Sequence, residues 1–402
     1  MSPPAPSSHA ALWTLDPGVT YLNHGAFGAC PRPVLAFQQE LRARLERQPV
    51  QFMSRDLEGL LDEARAAVGA FVGAVPSDLV FVPNATSGVN AVLRSLVFAP
   101  GDELLTTDHA YGACRNALHF VAERSRATVV TANVPFPIGG PDAVIAAVLA
   151  RVTSRTRLAL LDHVTSPTGL VFPIAELVRV LAERGVETLV DGAHAVAMLP
   201  LDLSAIGAAY YAGNCHKWLC APKSVGFLHV RRDVQEFVRP LAISHGARLK
   251  RSDRSRFLME FDWTGTVDPT AALSIPEAIR VVGAALPGGW PAIREHNRNL
   301  ALAGRRLLAE TLGIPEPAPA SMIGSLAALP IADGPDTPQT SGLYRDALQD
   351  ALREETGIEV PIVSWPAPPR RLIRIAAALY NTMADYERLA VALPALMARA
   401  AA

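Results

Sequence analysis

Lysine is almost missing from this chain of 402 residues. Of its 37 basic residues only Lys217, Lys223 and Lys250 are lysine, and the other 34 are arginine, as arginine- and alanine-rich genome composition would produce. Cysteine is also scarce. Cys30, Cys114, Cys215 and Cys220 form neither a zinc-ligand pair nor a secreted disulfide pattern, which suits a reduced cytosol. No apolar run approaches the roughly 18 residues of a membrane span, and the opening "MSPPAPSSHA" lacks the basic start and apolar core of a signal peptide. Charge of one sign is missing too: the formal net charge is −1 and half the residues are hydrophobic. That excludes a polyanion-binding surface and a disordered chain, and makes nucleic acid an unexpected partner. The expectation is a cytoplasmic protein with one large or two moderate domains and no membrane association.

What is present is a regular alternation. Seven short apolar runs read as strands, at 78–82, 102–107, 127–134, 157–162, 187–191, 208–213 and 225–230. Amphipathic stretches lie between most of them, such as "TSGVNAVLRSL" (86–96) and "PIAELVRVLAERG" (173–185), the latter stopped by Gly185. Strands apolar on both faces and alternating with helices predict an α/β fold with a mainly parallel sheet between helices. After about residue 263 the texture changes. Ala/Leu/Arg helices at 292–313 and 385–401 surround short strands at 325–331, 358–363 and 372–378, and the Pro-rich segments 313–321 and 332–341 read as exposed loops. The predicted organisation is an N-terminal arm (1–20), a large cofactor-binding domain (21–262) and a smaller α+β domain (263–402). No internal repeat is visible.

In such sheets ligands bind at the carboxyl ends of the strands, so the residues following each strand carry the chemistry. "PNATSG" (83–88) places Thr86 and Ser87 where a helix begins, either as a phosphate cradle or as an ordinary helix cap. "VDGAHA" (190–195) sets Asp191 at a strand end, to hold a protonated ring nitrogen or to cap the next turn. Two of the three lysines stand in the apolar and aromatic run "YYAGNCHKWLCAPKSVGF" (210–227). An enclosed Lys217 would have a depressed pKa and a free amine, whereas a structural one would snorkel to the surface. Amine, carboxylate, hydroxyls and a flat group together select pyridoxal 5'-phosphate, which needs a Schiff-base lysine, a partner for its pyridine nitrogen, phosphate donors and a ring cover. No metal site is expected.

"DGAH", "GNCHKWLCAPKSVGFL" and "RIAAALYNT" (374–382) resemble the class V aminotransferase family of fold type I pyridoxal-phosphate enzymes. "YLNHGAFG" (21–28), "DHAYGA" (108–113) and "DHVTSPTGLVFP" (162–173) are most similar to its isopenicillin N epimerase-like branch. The resemblance implies that Lys217 carries the cofactor, Asp191 holds the pyridine nitrogen and His194 approaches the ring hydroxyl. Thr86, Asn214 and His216 would contact the phosphate, Ser87 helping through its backbone. His109 would stack on the ring, with Tyr111 close enough to do so instead. Arg374 would fork the substrate α-carboxylate, with Asn23 and Tyr111 also at the substrate. Thr266 would reach the phosphate of a neighbouring subunit, which implies a homodimer with shared sites. Lys223 is at most auxiliary.

The departures bear on the reaction. Cysteine desulfurases carry a nucleophilic cysteine shortly before the arginine, and "TGIEVPIVSWPAPPRR" (356–371) contains none. Cys215 and Cys220 read as buried small side chains. Where some relatives place a second carboxylate-binding arginine stands Glu355. The resemblance implies removal of the α-proton of an amino acid or small peptide with free α-amino and α-carboxyl groups. An epimerase ranks first; a C–S or β-lyase and an aminotransferase follow, and a cofactor-binding regulatory protein is the non-enzymatic alternative.

Overall fold

The computed structural model describes residues 7–336 and 346–400. Positions 1–6 of the expected arm, 337–341 of the second Pro-rich loop and 401–402 at the end lie outside the described residues.

Twelve strands are assigned among the described residues. β1 (Thr20–Tyr21) is followed by β2 (Leu79–Val82), β3 (Glu103–Thr107), β4 (Thr128–Ala132), β5 (Thr156–Asp162), β6 (Glu187–Gly192), β7 (Tyr210–Asn214) and β8 (Gly226–Val230). The last seven form one sheet in the order β2-β8-β7-β6-β5-β3-β4. β3 to β7 are mutually parallel, and β8 runs against both of its neighbours, β2 and β7. The mainly parallel seven-stranded sheet read from the sequence is therefore present, with one reversed strand.

Period-two alternation explains why these runs are apolar throughout. Leu104, Leu158, Leu160 and Leu189 point to one face, where they meet Val89 and Val92 of helix Ala85–Ser95 and Leu118 of helix Gly112–Ser125. Leu105, Ala159, Leu161 and Val190 point to the other, packing with Leu177 and Leu181 of helix Ile174–Ala182. Leu160 is fully buried, so truncating it to alanine would cost about 2–5 kcal/mol.

β9 (Leu326–Ile331), β10 (Ile358–Glu359), β11 (Ile362–Ser364) and β12 (Arg371–Ala376) complete the set. β11, β12 and β9 form a three-stranded antiparallel sheet beside helices Gly289–Leu312 and Met383–Ala400. The single strand expected at 358–363 is two strands. Pro361 has no N–H for a ladder, and the chain changes partners there: β10 pairs with β1, β11 with β12.

β2, β3, β5, β6 and β7 point the same way, so the residues after β2 and β3, Asp162, Asp191 and Asn214 gather along one edge of the sheet. Among the described residues no helix is long and apolar enough to cross a membrane, and no group of three His, Cys, Asp or Glu is placed to hold a metal.

Candidate active site

A cavity of about 670 Å³ opens at that edge. It is lined by Thr86, Ser87, Asn214 and His216, and by Asp191, His194, Lys217 and Tyr111, eight of the residues singled out from the sequence.

Lys217 lies just beyond β7, in a turn that leads back into β8. Its carbonyl accepts from the Cys220 N–H at 3.0 Å and from Nε2 of His24 at 3.1 Å. A carbonyl only accepts, so this nitrogen of His24 carries the hydrogen and Nδ1 receives the Tyr380 hydroxyl at 2.6 Å. Burial keeps His24 neutral by pushing its pKa down to about 4. Gly28, at φ 68°, presses on the same backbone. A Cβ there would overlap the His216 carbonyl oxygen and lie 2.9 Å from the Lys217 Cα, so both conformation and space call for glycine. The Lys217 amine is 3.1 Å from Nε2 of His194. Burial first, then Arg374, pulls the amine down to about 8 against the opposing charges of Asp191, Cys114 and Asp162. Near neutral pH the free amine is thus a minor fraction, though far larger than an exposed lysine provides.

Asp191, the penultimate residue of β6, is buried, accepting from the Cys114 thiol at 3.1 Å and from the Ala193 N–H at 3.0 Å. Its register partner on β5 is Asp162, which lines the same cavity and leaves Oδ1 without a hydrogen-bond partner. Burial raises both carboxyl groups, and the charge of Asp191 raises Asp162 further. Two enclosed carboxylates side by side disfavour a second negative charge.

At the start of helix Ala85–Ser95, Asn214 takes the Ala85 N–H at 2.8 Å. Asn84 takes both the N–H of Ser87, at 2.9 Å, and its hydroxyl, at 3.1 Å. The cap is thus Asn84, and the backbone N–H of Ser87 is engaged by it. His216 donates Nδ1–H to the Val225 carbonyl at 2.9 Å, which leaves Nε2 as the acceptor while the ring is neutral.

His109 does not line the cavity. β3 ends at Thr107 and the turn directs the ring inward, where Nδ1 meets the Thr168 hydroxyl at 2.7 Å and Nε2 the Val134 carbonyl at 2.9 Å. It is fully buried, 4.5 Å from the Trp365 ring. Of the two residues expected as the ring cover, Tyr111 lines the cavity and His109 does not. Arg374 stands behind the wall, donating to the carbonyl and hydroxyl of Ser166, a lining residue. Asn23 binds Glu359 at 3.1 Å and is not among the lining residues. Thr266 is exposed on a loop outside the cavity. Glu355 pairs on the surface with Arg399, while Lys223 reaches the cavity rim. All four cysteines are buried and none lines the cavity.

Sequence reasoning passed over Asp162, although "LLDHV" carries the signal that marked Asp191, an acid closing an apolar run. It also passed over Cys114, Trp218, His24 and Tyr380, whose contacts with the site are long-range.

The family model described as Aminotransferase class-V matches residues 20–341. Isopenicillin N epimerase of Amycolatopsis lactamdurans is 38% identical over 397 residues, covering 95% of this chain and 96% of that protein. Isopenicillin N epimerase of Streptomyces clavuligerus is 35% identical over 394 residues, with coverage of 95% and 96%. The putative L-cysteine desulfhydrase 1 of Oryza sativa subsp. japonica is 32% identical over 413 residues, covering 95% and 84%. Among solved structures, the cystine C–S lyase C-DES in complex with cysteine persulfide has a TM-score of 0.77 at 23% identity, covering 93% of this chain and 97% of that one. Cysteine desulfurase CsdA from Escherichia coli has a TM-score of 0.77 at 20% identity, covering 97% and 98%. Both share the fold.

Proposed function

The chain belongs to the class V aminotransferase family, and on that premise we propose that it is an amino-acid epimerase, inverting the α-carbon of a substrate with free α-amino and α-carboxyl groups. It is an enzyme, and its cofactor is pyridoxal 5'-phosphate. The residues present fit that group: an amine of lowered pKa, a buried carboxylate already held by two donors, and a polar cluster at a helix start share one cavity. Lys217 would hold the aldehyde carbon, Asp191 the ring nitrogen, and Thr86, Asn214 and His216 the phosphate. When bound, the cofactor stabilises negative charge left at the α-carbon by proton loss.

The observation that carries the reading is the placement of proton-transfer groups on both flanks of Asp191. In the sheet, β6 lies between β7, which leads to Lys217, and β5, which ends in Asp162 and is next to β3, which leads to Tyr111. Lys217 takes the α-proton from its flank as general base. Arg374, set by Ser166, orients the carboxylate. A proton returns from the flank of Tyr111 and Asp162, so that one C–H bond breaks, one forms on the other side, and no electrons are gained or lost. The epimerase relatives at 38% and 35% identity support the same reading.

The desulfhydrase relative supports a second reading. A C–S lyase shares proton removal and then expels a β-substituent. With all four cysteines buried and outside the cavity, the persulfide route of a desulfurase is not part of either reading. Chiral chromatography tests the choice. Either enantiomer of an accepted amino acid should converge on the same mixture without keto acid, ammonia or sulfide. Pyruvate with sulfide from cysteine would replace the epimerase by the lyase.

A further inference from the structure

His194 stands between two nitrogen groups that constrain its proton. Nδ1 is 3.4 Å from the indole Nε1 of Trp218, and Nε2 is 3.1 Å from the Lys217 amine. An indole N–H can only donate, so Nδ1 accepts. A neutral imidazole has one N–H, which is then on Nε2 and points at the lysine nitrogen. To accept it, Lys217 must present a lone pair, and only the uncharged amine has one. An ammonium would need the opposite tautomer, whose Nδ1–H would face the N–H of Trp218, donor against donor.

The surroundings favour the uncharged ring. The side chain of His194 is buried, and burial is the first cause that holds its pKa well below the usual imidazole range; the titratable and charged groups nearest it are Lys217, Arg374, His216 and His24, none of them an acid that would favour a charged ring. Asp191, Asp162 and Cys114 act on Lys217 in the other direction. Trp218 itself is fixed: it is buried, and its rings lie 4.9 Å from the ring of His24.

We propose that Trp218 is a positioning residue which locks His194 as the Nε2–H tautomer, so that His194 donates to Lys217 and favours its neutral amine. The inference rests on the reading of Lys217 as the amine that carries the cofactor. It goes beyond that reading by assigning the source of the amine's charge state to a residue that does not line the cavity.

The scarcity of lysine makes the test direct, since Lys217 is one of three in the chain. Full-length cofactor-free protein carrying 15N-histidine and 13Cε-lysine would be examined by NMR, with His194→Gln and Lys217→Ala identifying the two signals. Above the Lys217 titration, where the amine is uncharged, the expected result is a protonated Nε2 and a bare Nδ1 at His194. In Trp218→Phe, the Nδ1–H form should appear and the Lys217 titration should move up by about 0.7 pH unit, the worth of one ordinary hydrogen bond. A wild-type His194 that is imidazolium or Nδ1–H above that titration overturns the proposal whether or not the variant folds. So does a folded Trp218→Phe protein with unchanged tautomer and titration. Borohydride fixation of cofactor separates the two levels. Fixation on Lys217 with the wrong tautomer sinks this inference alone, and fixation on another lysine sinks the anchor assignment and the inference with it.

Discussion

The hydroxyl of Tyr380 lies 2.6 Å from Nδ1 of His24. Because His24 donates its other nitrogen to the Lys217 carbonyl, a residue of the segment after β12 sets the backbone on which the amine stands. Tyr380→Phe would leave a buried acceptor unsatisfied, so stability should fall by about 1–3 kcal/mol. Urea unfolding measures it, and an unchanged midpoint and slope would show that the bond contributes nothing.

Asp162 should imprint itself on the pH dependence of the cofactor-free protein. Its folded pKa is raised well above the ordinary carboxylate value of 3.8, by burial and then by the charge of Asp191. Stability from the protonated form is therefore complete below about 3.8 and is lost as pH rises through the raised value. Asp162→Asn removes that loss. Its stability relative to wild type should climb across the window, read by urea unfolding at a series of pH values. Parallel curves would mean that Asp162 titrates normally.

Thr266 is exposed outside the cavity of its own chain, and we propose that it serves the phosphate of a second subunit in a homodimer. Lys217→Ala and Thr266→Ala proteins, each inactive alone, should regain activity when mixed, because one site of the hybrid has both native residues. A full-activity monomer at nanomolar concentration would rule this out.

The parts of the site legible in the sequence are those coded locally. Asp191 closes an apolar run, and Lys217 is a rare lysine among aromatic neighbours. The strands were readable because burial on both faces keeps both sets of alternating residues apolar. What stayed hidden depends on contacts made only after folding. The partners of His24 are 193 and 356 positions away, and Cys114 reaches Asp191 over 77. His109 and Tyr111 are two residues apart, yet the turn after β3 sends one into the core and the other into the cavity. Pro361 carries a local signal for a break, yet 358–363 reads as one strand, and the change of partner strand that the break permits is made only after folding.

Removal of the α-proton at Lys217 and its return from the opposite flank are read together in heavy water, by following deuterium at the α-carbon and configuration. Deuterium should enter as configuration inverts, neither keto acid nor ammonia should accumulate, and Lys217→Ala should abolish both changes. Retention of the α-proton in an amino acid that is nonetheless converted, or deuterium entry with configuration fully retained, would contradict that route.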